Sequence, residues 1–106
     1  MRQLEAAELE SWLSARRGPV TLLDVREPWE TELCAIEGSR LIPLGELPRR
    51  LAELEPDRPT VVICHHGVRS LAAAAWLARA GFSDLVNLRG GIDAWARTVD
   101  TAMAVY

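Results

Sequence analysis

The chain predicts an α/β fold, a mostly parallel sheet covered by helices on both faces. Three observations carry that expectation. Short aliphatic runs alternate with helical segments, the pattern of parallel-sheet proteins. The runs are continuously apolar, as strands buried on both faces are. Glycine or proline punctuates most junctions between segments.

Glu5 to Arg17 reads as an amphipathic helix with Leu9, Trp12 and Leu13 on one face. Glu5, Glu8 and Glu10 come early and Arg16 and Arg17 late, which complements the helix dipole. Gly18-Pro19 stops it. Val20 to Val25 is a buried strand that ends in Asp24-Val25-Arg26. Pro28 opens a short helix reaching about Cys34, and Gly38-Ser39 separates it from a strand over Arg40 to Pro43. Gly45 to Leu54 has a helical pattern with Leu47, Leu51 and Leu54 on one side. Pro56-Asp57-Arg58-Pro59 is a turn. Thr60 to Ile63 is a strand, and Ser70 to Ala80 a helix almost without charge that should be buried on most sides. Leu85 to Leu88 is a further strand, Gly90-Gly91 a turn, and Ile92 to Arg97 a last helix.

A chain of 106 residues predicts one domain, residues 1–106, with a core that needs neither disulfides nor a structural metal. The apolar and charged fractions are those of an ordinary soluble globular protein. The net charge of −3 gives no global footprint for nucleic acid or an anionic membrane. All 12 basic residues are arginine, a compositional bias except at Arg69, discussed below. The start lacks the apolar stretch of a signal peptide, and no run is long enough to span a membrane. The reducing cytoplasm is therefore the expected compartment. The two cysteines, Cys34 and Cys64, do not form a disulfide framework.

Chemistry concentrates in Cys64-His65-His66-Gly67-Val68-Arg69-Ser70, between the Thr60–Ile63 strand and the following helix. In open α/β sheets, ligands bind at the carboxyl ends of strands, and both Cys64 and Asp24 occupy such ends. A strand-to-helix turn gathers backbone N–H groups and attracts anions. Gly67 allows the loop to curl so that these groups converge, and Arg69 and the helix dipole add positive charge. A cysteine at the base of that cradle should be a better thiolate than one in a core. The arrangement suits nucleophilic attack on an anionic substrate and retention of a charged covalent intermediate. The alternative is an inert cysteine that merely ends a strand.

The neighbouring candidates divide similarly. His65 and His66 are adjacent, so their side chains should point apart, and no further cluster supplies metal ligands; no metal and no cofactor are expected. They act electrostatically near the sulfur or simply face solvent. Asp24 and Arg26 either take part in catalysis or, the preferred reading, support the neighbouring loop through hydrogen bonds and ion pairs. Cys34 either resolves an oxidised Cys64 or, as preferred, is a small hydrophobe on a short helix. Trp12, Trp29, Trp76 and Trp95 are dispersed and read as packing residues.

Four segments resemble the rhodanese-like sulfurtransferases in order and spacing. Leu23-Asp24-Val25-Arg26-Glu27-Pro28-Trp29-Glu30 resembles the first signature and Ile36-Glu37-Gly38-Ser39-Arg40-Leu41-Ile42-Pro43-Leu44 the second. Cys64 to Ser70 matches the active-site loop, and Leu88-Arg89-Gly90-Gly91-Ile92-Asp93-Ala94-Trp95 the closing signature. Ala35 stands where many members carry a histidine. The resemblance implies a three-layer domain with about five mostly parallel strands. It also implies that Cys64 takes the outer sulfur of a donor such as thiosulfate, becomes a persulfide, and passes the sulfur to cyanide or a cellular thiol by double displacement. His65, His66, Gly67, Val68, Arg69 and Ser70 would form the cradle, with Arg69 on the anionic donor. A persulfide relay or regulatory module serving a protein partner would use the same loop. Phosphatases of related fold, and arsenate reductases, are a lesser alternative. The phosphatase loop is one residue longer than the His65-His66-Gly67-Val68 spacer here, and a ring of the wrong size misplaces its donors for phosphate. The physiological donor, acceptor and oligomeric state are not readable from these residues.

Overall fold

A computed structural model describes all residues, 1–106. Its centre is one parallel five-stranded sheet of order β1-β5-β4-β2-β3, formed by β1 (Arg2–Leu4), β2 (Thr21–Asp24), β3 (Arg40–Leu41), β4 (Thr60–Ile63) and β5 (Leu85–Leu88). The helices are α1 (Ala6–Ala15), α2 (Pro28–Leu33), α3 (Leu47–Arg50), α4 (Val68–Arg79) and α5 (Gly91–Thr98).

The expected α/β class holds, with local differences. β1 has no counterpart in the pattern reading, because Arg-Gln-Leu carries no apolar run. It forms by pairing in register with β5, Arg2 opposite Val86 and Leu4 opposite Leu88. The expected helix over Gly45 to Leu54 breaks into a 3₁₀ turn (Leu44–Glu46), α3 and a second 3₁₀ turn (Leu51–Glu53). Pro48 lies inside it and supplies no backbone N–H. The third strand is only Arg40–Leu41; beyond it, Ile42 N–H and Leu44 N–H still reach back to Asp24 and Val25 carbonyls. α4 begins at Val68 rather than Ser70, which makes Gly67 its N-cap, and Gly91 opens α5 rather than sitting in a turn.

Each face of the sheet carries its own core, and strand alternation decides which side chain joins which. On one face Leu23, Val25, Val62, Cys64 and Leu85 pack with Leu47 and with Ala73, Ala74 and Leu77 of α4. On the other, Val61, Ile63, Val86 and Leu88 pack with Leu9 of α1 and with Ile92 and Trp95 of α5. Each fully buried Val, Leu or Ile contributes about 1.5–3 kcal/mol of transfer free energy. The alanines of α4 let that helix lie close to the sheet. The same alternation turns Cys64 toward α4. Asn87, which pairs in register with Val62, lies in a β5 otherwise made of aliphatic residues.

Of the tryptophans, Trp95 is buried, Trp12 and Trp76 half-buried, and Trp29 59% exposed. Trp29 therefore departs from the packing role expected of it. It stands on the outer side of α2 with the edge of Tyr106 at 6.2 Å between ring centroids.

Candidate active site

Cys64 follows β4 directly, and its side chain is 1% exposed. Gly67 donates its N–H to the sulfur at 3.1 Å. Gly67 holds φ +94°, and a Cβ there would stand 3.0 Å from Gly90 N and 3.1 Å from Leu88 O. Only glycine fits both that angle and that gap. Beneath the sulfur, the thiol donates to Ser70 Oγ at 3.3 Å, and Ser70 donates to Asn87 Oδ1 at 2.5 Å. Asn87 Nδ2 donates onward to Gly67 O at 3.3 Å and Gln3 Oε1 at 3.0 Å. Cys64, Ser70, Asn87 and Gly67 thus close a ring of bonds among buried groups, with the exposed Gln3 attached to it, and the ring fixes the sulfur's position.

The start of α5 backs the loop. Ile92 N–H donates to Cys64 O at 2.8 Å and Asp93 N–H to His65 O at 3.0 Å. Gly91, at φ +65°, allows this approach, since a Cβ there would come 2.6 Å from Cys64 O. Two amides at the start of α5, those of Ile92 and Asp93, are thus spent on loop carbonyls, while the amide of Gly67, the N-cap of α4, meets the sulfur.

Ahead of the loop lies a charge network. Arg26 is wholly buried and donates to Asp24 through Nε at 2.9 Å and Nη2 at 2.6 Å. It also donates to Cys34 O at 2.8 Å, Glu30 O at 3.3 Å and Tyr106 Oη at 3.0 Å. Burial works against the charge on Arg26, but the Asp24 carboxylate more than restores it, so its pKa lies above the ordinary value. Arg69 meets Glu30 through two parallel bonds, Nη1–Oε1 at 2.7 Å and Nη2–Oε2 at 2.8 Å. Tyr106 donates its hydroxyl to the same carboxylate at 2.7 Å. Led by the Arg69 bonds, these donors hold Glu30 well below the usual carboxylate range, at about 2. Burial, with Glu30 alongside, pushes the Tyr106 hydroxyl up to about 12.

His65 and His66 do not point apart. Their rings stack at 3.8 Å between centroids, and Tyr106 stacks on the other side of His65 at 3.8 Å. Stacking keeps three flat rings together at little conformational cost, which the rule that adjacent side chains diverge misses. His65 Nε2 lies 2.8 Å from Tyr106 O. His65, His66 and Asp93 bring ligand-type atoms within 4.8 Å of one another, so divergence is no argument against a metal here. Asp93 is meanwhile engaged by Arg97 at 3.1 Å.

The loop residues therefore separate by place. Gly67 and Ser70 contact the sulfur, Ser70 from below as a buried residue rather than as a wall of the pocket. Arg69 reaches across to α2, and Val68 is 75% exposed. Asp24 and Arg26 bond to each other, to the α2 segment and to Tyr106; their link to the loop runs through Glu30–Arg69 and Tyr106–His65. Cys34 caps α2 in an extended conformation, with its sulfur 3.9 Å from Arg26 Nη1. Three participants carried no role in the sequence reading: Glu30, Asn87 and Tyr106. A polar residue in the run Leu-Val-Asn-Leu was a signal for Asn87. For Tyr106, the sole tyrosine, there was none. The cleft of about 200 Å³ lined by Thr21, Leu22, Arg40, Glu53 and Arg58 lies toward the amino ends of the strands, away from this chemistry.

Comparison with known proteins places this geometry. The family model described as "Rhodanese-like domain" matches residues 5–98. The chain is 45% identical over 101 residues to "Probable adenylyltransferase/sulfurtransferase MoeZ" of Mycobacterium tuberculosis, covering 93% of this chain but only 26% of that protein. It is 36% identical over 83 residues to "Thiosulfate sulfurtransferase GlpE" of Stutzerimonas stutzeri, covering 78% of this chain and 76% of that one. A crystal structure of a rhodanese-related protein from Thermoplasma volcanium superimposes with a TM-score of 0.83 at 38% identity, over 93% of this chain and 94% of that one. With a cysteine-to-arginine loop at the carboxyl end of β4, a parallel five-stranded sheet and a family match over most of its length, the chain belongs to the rhodanese-like family, which includes the sulfurtransferases.

Proposed function

We propose that the protein transfers a sulfane sulfur from thiosulfate or a similar donor to a thiophilic acceptor, cyanide or a cellular thiol, through a persulfide on Cys64. The observation that carries this reading is the 3.1 Å bond from Gly67 N–H to Cys64 Sγ in a loop of family length. The cysteine thiolate attacks the outer sulfur of the donor; the donor's S–S bond breaks and the remainder leaves with the electron pair. A thiolate or cyanide then takes the outer sulfur and restores Cys64. The Gly67 amide and the start of α4 stabilise sulfur-borne negative charge in both steps.

Intact mass before and after thiosulfate tests this. The wild type should gain one sulfur atom and lose it to cyanide, and Cys64→Ser should gain none. A wild type that takes up no sulfur rejects the proposal.

A second reading is a persulfide relay to a protein partner. It is favoured by the exposed apolar side chains of Trp29, Val68 and Leu71, on the same segments as Glu30 and Arg69. Its likeness to a quarter of the larger MoeZ protein agrees with a unit that serves a neighbour. Release of the sulfur to protein thiols but not to cyanide would support the relay.

A further inference from the structure

We propose that Tyr106 is a positioning residue for sulfur transfer, a latch that ties both ends of the Cys64 loop to α2 and so holds Gly67 against the sulfur. This role rests on the sulfurtransferase reading and goes beyond it, because Tyr106 lies outside the residues, 5–98, that the family model matches.

The chain brings Tyr106 to the site along a defined path. After α5, Asp100 N–H bonds to Trp95 O at 3.0 Å and Met103 N–H to Asp100 O at 3.0 Å. Val99, Met103 and Tyr106 all pack against the core shared by α1 and α5. Tyr106 then meets both elements beside the sulfur. Its ring lies flat on His65, with centroids 3.8 Å apart and planes 4° from parallel. Its main-chain oxygen lies 2.8 Å from His65 Nε2 and can only accept, so that nitrogen carries the hydrogen. Its hydroxyl accepts from Arg26 Nη1 at 3.0 Å and donates to Glu30 Oε2 at 2.7 Å. Glu30 in turn grips Arg69 with both carboxylate oxygens.

His65 stands at the start of the loop and Arg69 near its end. The circuit His65–Tyr106–Glu30–Arg69 therefore spans the loop from outside, and Gly67 lies between its two fixed points. The remaining supports lie elsewhere. Ser70 and Asn87 sit beneath the sulfur, and the Ile92 and Asp93 amides hold backbone carbonyls from α5. None of those bonds engages the side chain of His65 or Arg69. The chemistry needs the outer grip because the Gly67 amide must stay aimed at a sulfur whose charge changes during transfer. Preorganised donors lose their effect when displaced, and a shift of about 1 Å can cost about a hundredfold in rate. Without the latch, the loop keeps its floor and its backing but gains freedom at its rim.

Two measurements on the full chain test this: amide hydrogen exchange by NMR, and rapid-quench intact mass for the loading of Cys64 from thiosulfate. Tyr106→Phe keeps the stack and the main-chain bond and loses only the hydroxyl ties; Tyr106→Leu loses the stack as well. Exchange at Gly67 should speed about tenfold in Tyr106→Leu and about threefold in Tyr106→Phe, while Val61 and Val62 of β4 stay within about twofold. The loading rate at saturating thiosulfate should fall in the same order, by about tenfold and about threefold. The difference between the two variants should shrink to less than about twofold in a His65→Ala background, because the contact that separates them is already gone. Equal acceleration at Gly67 and in β4 marks plain loss of stability and overturns the proposal. A difference of undiminished size without His65 overturns it too. If Tyr106→Leu does not fold, Tyr106→Phe decides, and unchanged exchange at Gly67 in that variant overturns the proposal. Variants that load as fast as the wild type overturn the latch and leave sulfur transfer standing. A wild type that takes up no sulfur overturns both.

Discussion

The two cysteines of this chain are the same side chain in two settings. Cys64 ends a strand, faces a glycine amide at 3.1 Å and has a hydroxyl beneath it. Cys34 ends a helix and has a guanidinium at 3.9 Å. By formal charge Cys34 has the stronger partner. That cation, however, is shared among Asp24, Tyr106 and two carbonyl oxygens, and nothing else is aimed at the Cys34 sulfur. The comparison teaches that a sulfur's surroundings are set by the donors left free to meet it, not by nearby charge already spent. The Gly67 amide at the start of α4 meets the sulfur with no carboxylate capping that helix; buried arginines usually have such a competitor.

The largest expected effect removes the backing of one setting and leaves the other alone. Gly91→Ala places a methyl group against the carbonyls of Cys64 and His65 at a positive φ. It should cost at least about 3 kcal/mol in urea unfolding and displace the Cys64 loop. A stable, fully active Gly91→Ala protein would show that α5 does not define the site.

A middle-sized effect comes from pH. Glu30 lies in the helix that leads to Cys34 and braces Arg69 from the Cys64 loop, so it joins the two settings. Its folded pKa of about 2 is below the ordinary 4.5. The stabilisation is therefore present in full above the unfolded value and is lost as pH falls through 4.5 toward 2. Because Arg69 is partly exposed, the amount is discounted to on the order of 2 kcal/mol. Urea unfolding at neutral pH and near pH 3 should show a larger acid loss for wild type than for Glu30→Gln. Parallel losses would remove Glu30 from the acid response.

The smallest effect should come from Cys34→Ser. The serine hydroxyl replaces a half-buried sulfur and still accepts from Arg26, so stability should change by about 1 kcal/mol or less and sulfur loading on Cys64 should persist. Loss of loading in this variant would make Cys34 a second participant and end the contrast between the two settings.

What the sequence disclosed follows the same division. Strands β2, β4 and β5 were legible because they are aliphatic runs, and the Cys64 loop because a glycine and an arginine stand at telling offsets. β1 was not, since Arg2-Gln3-Leu4 takes its form from β5 rather than from its own residues. Val68 and Arg69 sit in the loop by sequence but turn to solvent and to α2 in space. Glu30 stands within the first signature, but its partner Arg69 lies 39 positions away. Tyr106 lies 76 positions from Glu30. Contacts of such separation leave no local pattern to read. The stacking of His65 and His66 is hidden for the opposite reason: they are adjacent, but a third ring, from far along the chain, sets their geometry.

The strand order has a consequence in time. β1 cannot pair until β5 exists, and Gly91, which backs the loop, follows β5. On the ribosome, residues 60–70 therefore emerge well before the segment that shapes them. A sheet built from pairings between distant residues closes late and slowly. Through that interval the Cys64 loop lacks the backing of Gly91, and its surroundings are completed only once β5 and α5 have folded against it.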